Sequence, residues 1–141
     1  MNMSETSEIA AKNLEFTGQV ESLGSNGEGI VHFGQTVFFA PYTAVGEKVK
    51  FRALKVKDNI GYAKALEILT PADERVRPRC PNFTRCGGCQ IQHLRYGAQL
   101  KLKTKIVSNA LQKIAGIRFH VSPAVKSDSQ YEYRNKLQIP V

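Results

Sequence analysis

Three thiols define the chemistry this chain could do. Cys80, Cys86 and Cys89 stand at C-x5-C-x2-C spacing, and they are all the cysteines the sequence has. Gly87 and Gly88 lie inside the tighter bracket. Thiolates gathered this closely, with small residues between them, read as a metal or iron–sulfur chelate. Glycine suits such a loop because the backbone angles needed to wrap a metal are obstructed by a Cβ. Four readings are open on the residues alone. One is a [4Fe–4S] cluster completed by a fourth cysteine from outside the chain. Another is a Cys3His zinc site using His93, which follows Cys89 at C-x3-H, although the 5-then-2 spacing is unlike common zinc-finger brackets. A third is a redox pair of Cys86 and Cys89, which leaves Cys80 without a role. The last is three buried free thiols, and for His93 a cap or surface group ahead of a helix. No base is placed to make any of the three a nucleophile.

The surroundings of the thiols are strongly cationic. The net charge is +8, but it is unevenly spread. Met1 to Glu74 carries ten acidic and seven basic residues, a net −3; Arg75 to Val141 carries two acidic and thirteen basic, a net +11. No Asp or Glu occurs between Arg75 and Lys126. Such a field attracts polyanions, nucleic acid before others. An anionic membrane is the weaker partner, because no basic amphipathic helix with aromatic anchors accompanies it. No apolar run is long enough to cross a bilayer and no signal-peptide core is present, so a cytoplasmic protein is expected, where disulfides are rare.

The elements that must position these residues fall into two groups. Residues 1–13 read as a flexible leader. From 14 to 70 short alternating stretches are separated by glycine turns. Gly24 to Gly29 is a turn, Gly34-Gln35 a two-residue hairpin between Ile30–Phe33 and Thr36–Phe39, and Asp58 to Gly61 another turn before Tyr62–Leu69. Lys48 to Ala53 alternates apolar and basic. About five short strands are too few for two packed sheets, and a small OB-like β-barrel is the economical solution. Lys48, Lys50 and Arg52 on one edge would suit RNA contact or, equally, would blunt an edge strand. Residues 71–79, bracketed by Pro71 and Pro78, read as a linker. The spacing of Leu100, Val107, Leu111 and Ile114 predicts a helix over 96–114, ended by Gly116. Strands are expected over Phe119–Val125 and from Tyr131 onward. One helix with one or two strands cannot close a core, so residues 80–141 read as the incomplete start of an α+β domain.

Several stretches together resemble one family. Arg75-Val-Arg-Pro-Arg-Cys80-Pro-Asn-Phe, Cys86-Gly-Gly-Cys89-Gln-Ile-Gln-His93-Leu, Tyr96 and Gln99-Leu100-x-x-Lys103 are similar to a segment of the iron–sulfur RNA uracil-5-methyltransferases. Tyr133-Arg134-Asn135-Lys136 matches that family's next element. Gly27-Glu28-Gly29-Ile30, Val37-Phe38 and Gly46-Glu47-Lys48-Val49 look like its N-terminal TRAM domain, an RNA-binding OB-like module. The resemblance implies a [4Fe–4S] cluster on Cys80, Cys86 and Cys89, with a fourth cysteine beyond Val141. Members carrying both TRAM domain and cluster typically act on 23S rRNA. It also implies a Rossmann-like domain, absent here, that binds S-adenosylmethionine and holds the catalytic cysteine and base. The expectation is therefore a front end, inactive alone and monomeric, of a 23S rRNA uracil-5-methyltransferase. Its candidate RNA contacts are Lys48, Lys50, Arg52, Arg75, Arg77, Arg79, Arg85, Arg95, Arg134 and Lys136. The rival expectation is a stand-alone RNA-binding protein with a Cys3His zinc site.

Overall fold

The structure, a computed structural model, describes residues 10–136 and 138. The chain divides into two compact units, the first running to Arg95 and the second beginning at Tyr96.

The first unit is built on a six-stranded mixed sheet. Its strands are β1 (Glu15–Gln19), β2 (Ser22–Leu23), β3 (Gly29–Phe33), β4 (Thr36–Ala40), β5 (Lys48–Lys57) and β6 (Ile60–Thr70). Their order across the sheet is β1-β5-β6-β4-β3-β2. The strands at its two ends, β1 and β2, are consecutive in the chain, parted only by Val20 and Glu21. Those two residues switch partners: Val20 N–H donates to Glu47 O and Glu21 N–H to Ile30 O, both at 2.9 Å. One bent strand thus pairs with β5 in its first half and β3 in its second, and the sheet closes on itself. Closure leaves no long unpaired edge. All pairings are antiparallel except β4 with β6.

Alternation fixes which side chains enter. On β5 Val49, Phe51 and Ala53 are buried while Lys48 and Arg52 are exposed. Phe16 sits at the centre, its ring 4.7 Å from that of Phe38, 4.9 Å from Phe33 and 5.3 Å from Phe51. Each fully buried side chain of this size contributes about 1.5–3 kcal/mol. The hairpins turn at Gly34-Gln35 and at Asp58-Asn59. Ile60 and Gly61, expected in the second turn, belong to β6. Gly61 is needed there because the Phe38 ring lies where a Cβ would stand. The part of the expected leader that is described is not loose. Ala10 packs against the core, and Asn13 N–H donates to Ala53 O at 2.8 Å. Residues 1–9 lie outside the described residues.

The second unit contains one helix, α1 (Tyr96–Asn109), continued by a π-helical turn over Ala110–Ile114. Gly116 follows with φ +69, as expected of a residue ending a helix. The chain then returns along the helix, held where Ala124 N–H donates to Thr104 Oγ1 at 2.9 Å and Ser127 N–H to the Tyr96 hydroxyl at 2.8 Å. The strand expected over Phe119–Val125 does not form, and residues 131–136 are not strand either. Leu137, Ile139, Pro140 and Val141 lie outside the described residues. The expected apolar stripe is only partly covered: Leu100 and Leu111 are half-buried, whereas Val107 is half-exposed and Ile114 is 86% exposed, and the buried helix residue is Leu102.

Candidate nucleic-acid interface

The cysteine segment belongs to the first unit and is an excursion closed at its neck. Residues 74–76 run antiparallel to 93–95: Val76 N–H donates to His93 O and Arg95 N–H to Glu74 O, each at 2.8 Å. Everything between hangs from that neck, so residues 71–79 are tied to the barrel through specific bonds.

Two side chains fix the neck. Glu47, immediately before β5, is fully buried, and the Arg75 guanidinium meets it with both Nε and Nη2, the latter at 2.9 Å from Oε2. The same Nη2 donates to Tyr42 O at 2.8 Å. Glu47 Oε2 also accepts from Ala44 N–H at 2.8 Å. Burial alone would raise the Glu47 carboxyl; the hydrogen bonds from Arg75 and Ala44 outweigh it and hold the group below its usual value of 4.5. His93 is the second pin. Its Nε2 lies 2.9 Å from Thr43 O, and a carbonyl only accepts, so Nε2 carries the proton. Nδ1 is then a bare acceptor, buried without a hydrogen-bond partner among the described residues. Burial pushes the His93 imidazole below its usual 6.5 and keeps it neutral. Phe83, further out on the excursion, packs on Tyr42 at 5.1 Å and His93 at 5.7 Å between ring centroids.

Arg75 and His93 are therefore structural. Arg75, read from sequence as an RNA contact, spends its Nε and Nη2 donors inside the protein, and His93 is neither a surface group nor a helix cap. No sequence signal separated Arg75 from Arg77 or Arg79; the buried acid that claims it lies 28 residues away.

The thiols lie on the outer part of the excursion. Cys80 is half-buried; Cys86 and Cys89 are exposed, and all three are free. Gln92 links the two ends of the loop, accepting from Cys80 N–H at 2.7 Å and donating to Cys89 Sγ at 3.8 Å. Thr84 and Gly87 turn the loop at positive φ, +74 and +75. Among the described residues no three Cys, His, Asp or Glu side chains converge as a metal set. By type the donors fit a thiophilic centre: three thiols on one loop, with arginines rather than carboxylates beside them.

Between the excursion and the barrel wall runs a groove of about 1200 Å³. Arg77, Arg79 and Arg85 line one side; Phe39, Tyr62 and Lys64, from β4 and β6, line the other. Tyr62 is 55% exposed, and its ring lies 6.1 Å from that of Phe39. Exposed aromatic faces beside arginines can stack bases while neutralising phosphates. Of the sequence candidates the groove gathers Arg75, Arg77, Arg79 and Arg85, of which Arg75 is tied to Glu47. Lys48 is exposed on β5 outside it, and Lys50 and Arg52 pair with Glu15 at 2.9 and 2.6 Å. Arg95 is exposed beside the neck, and Arg134 and Lys136 are exposed in the second unit. Sequence reasoning missed Phe39, Tyr62 and Lys64. Tyr62 and Lys64 share parity on β6 and alternate with buried Gly61 and Ala63, so strand alternation could have shown both facing outward.

Comparison with known proteins agrees with this chemistry. Two similar curated proteins are named uncharacterized RNA methyltransferases. That of Clostridium tetani is 37% identical over 92% of this chain, and that of Staphylococcus aureus strain COL is 39% identical over 93%. The chain spans only 28% and 29% of their lengths. Among solved structures, the Pyrococcus abyssi tRNA (uracil-54, C5)-methyltransferase, crystallised with S-adenosyl-L-homocysteine, matches with a TM-score of 0.50 at 27% identity. That match covers 78% of this chain and 24% of the other. No family model matches the chain.

Proposed function

We propose that these residues are the RNA-gripping part of an S-adenosylmethionine-dependent RNA uracil-5-methyltransferase of the 23S rRNA type. The observation that carries the reading is the groove, where arginines stand with the exposed Tyr62 and the half-buried Phe39 on a preformed scaffold. In it Arg77, Arg79, Arg85 and Lys64 hold phosphates, and Tyr62 and Phe39 offer faces to unpaired bases. The barrel takes the role of a TRAM domain. Cys80, Cys86 and Cys89 hold a [4Fe–4S] cluster whose fourth ligand comes from outside these residues. Such a cluster, when bound, would brace the excursion that carries the arginines. Methyl transfer belongs to another part of the protein, toward which a target uridine would be flipped. The similarity to proteins named RNA methyltransferases and to a solved tRNA uracil-5-methyltransferase supports the methyltransferase part of this assignment. The rival Cys3His zinc site is not proposed, because His93 is fully buried at the neck whereas Cys86 and Cys89 are exposed on the outer part of the excursion.

The test is nucleoside analysis of 23S rRNA treated with the full-length protein and S-adenosylmethionine. Formation of 5-methyluridine, lost in an Arg77→Ala/Arg85→Ala variant, is expected. Methylation of another atom or another base would overturn the assignment. Anaerobic purification tests the cluster: a brown protein with about four irons per chain is expected. A colourless protein with one zinc would overturn it.

A further inference from the structure

We propose that a second, smaller pocket beside the groove receives one unpaired nucleobase of the bound RNA and reads its edge, favouring bases that carry an exocyclic amino group. This rests on the RNA-binding reading above and adds a specificity element to it. The pocket is about 230 Å³ and shares Phe39, Tyr42 and Tyr62 with the groove. Its remaining polar wall is Asn26, Glu28 and Gln90. It is smaller than the roughly 300–1,000 Å³ of sites for drug-sized ligands, a size suited to a single planar group.

Charge separates the two spaces. The groove is lined by cations, whereas the pocket has none and carries the carboxylate of Glu28. A phosphate is repelled from it; a base is not. The aromatic walls supply stacking that any base can use. The polar wall supplies discrimination. Glu28 only accepts hydrogen bonds, and its two oxygens offer about four acceptor positions. Asn26 uses two of them, its N–H at 3.0 Å and its Nδ2 at 3.4 Å. Gln90 donates one Nε2–H to Gly87 O at 3.2 Å, which leaves one N–H and the two acceptor positions of its carbonyl oxygen. A surplus of acceptors matches an amino group on adenine, cytosine or guanine. Uracil offers one donor, its ring N3–H, flanked by two exocyclic carbonyls that would face acceptors.

The two halves of the polar wall are held together before any ligand arrives. Gly24 N–H donates to Glu28 O at 2.8 Å and Gly27 N–H to Gly24 O at 3.1 Å, which fixes the turn. Gly27, at φ +83, is packed against Ile91 so closely that a Cβ would collide with its Cγ2. The turn that carries Asn26 and Glu28 is therefore seated on the excursion that carries Gln90.

Fluorescence anisotropy with the whole chain and labelled oligo(rA), oligo(rC) and oligo(rU) of about ten nucleotides tests this. The two amino-bearing strands should bind roughly tenfold more tightly than oligo(rU), near the low end of what one base-edge contact discriminates. Gln90→Leu with Glu28→Gln should erase that preference and leave oligo(rU) affinity unchanged. Tyr62→Leu should weaken all three strands about tenfold, and Tyr62→Phe should not; Tyr62 is more than half exposed, so neither change threatens the fold, which circular dichroism would verify. Equal affinity of the native chain for all three strands overturns the proposal, as does insensitivity to Tyr62→Leu. If Arg77→Ala/Arg85→Ala weakens binding while the pocket variants do nothing, the groove stands and the pocket fails. If no strand binds at all, both fail.

Discussion

Replacing Arg75 by methionine isolates the pin between excursion and barrel. The substitution keeps the stem of the side chain and removes every bond to Glu47 and Tyr42. Glu47 is 0% exposed and would remain as an uncompensated buried carboxylate, still bonded to Ala44 N–H. Breaking a buried pair from one side costs about 3–5 kcal/mol. The Arg75 side chain keeps 24% of its exposure, which screens the pair and places the cost near about 3 kcal/mol. Glu47→Gln retains an acceptor for Ala44 N–H and should cost less, about 1–3 kcal/mol. The double variant should cost less than the two single changes added, with a coupling of about 2 kcal/mol. The sequence has no tryptophan, so urea unfolding is followed by far-UV circular dichroism. Native-state trypsin cleavage after Arg79 and Arg85 reports the excursion separately. Arg75→Met should accelerate cleavage at these sites well before the barrel is cut. A loss below about 1 kcal/mol with unchanged cleavage would refute the view that this pair docks the excursion, since even a half-exposed pair of this geometry exceeds an ordinary surface salt bridge.

Other outcomes follow from the same geometry. Both neck groups have depressed pKa values, so stability should be complete above pH 6.5 and fall on acidification. His93 contributes first, because the unfolded imidazole takes up a proton below 6.5 that the buried one resists; Glu47 contributes below 4.5, as its carboxylate is protonated. His93→Gln should remove the upper part of this pH dependence in urea titrations; an unchanged profile would show that His93 is not the group responsible. Gly61→Ala should destabilise the barrel by about 1–3 kcal/mol, because the Phe38 ring must move; a neutral thermal melt would contradict that packing. Cys86→Ser and Cys89→Ser should each abolish iron retention in anaerobic reconstitution while leaving the circular dichroism of the barrel intact. Retention of a full cluster without either thiol would count against their role as ligands.

The barrel was legible because its signals are local. Alternation over Lys48–Ala53 and the Gly34-Gln35 turn each depend on a few neighbouring residues. Closure of the sheet was less direct, since it depends on Val20 and Glu21 exchanging partners at a bend that no residue type marks. The thiols were visible by type and spacing. Their support was not: Glu47, Thr43 and Tyr42 contact the excursion from 28 to 50 residues away, and a single sequence does not reveal long-range pairings. Arg75 shows the consequence, since its composition matched a phosphate contact while its position made it a pin. The groove was half visible. Its arginines stand in a conspicuous run, but Tyr62 and Lys64 read only as residues of a strand until β6 was placed opposite them. The later strands failed for a different reason. Phe119–Val125 has residues that favour strands, yet strand formation needs a neighbour with which to exchange backbone bonds, and none is offered among the described residues.

The central claim is that Arg77, Arg79, Arg85 and Lys64 form a phosphate-binding groove for single-stranded RNA. It is tested most directly by the salt dependence of RNA affinity. For the native chain, the logarithm of the association constant should fall linearly with the logarithm of salt concentration, by about 0.7 per phosphate neutralised. Arg77→Ala/Arg85→Ala should flatten that slope by about 1.4, the contribution of two phosphates, while Arg75→Lys should leave it nearly unchanged. A slope unaffected by loss of the two groove arginines would contradict the account.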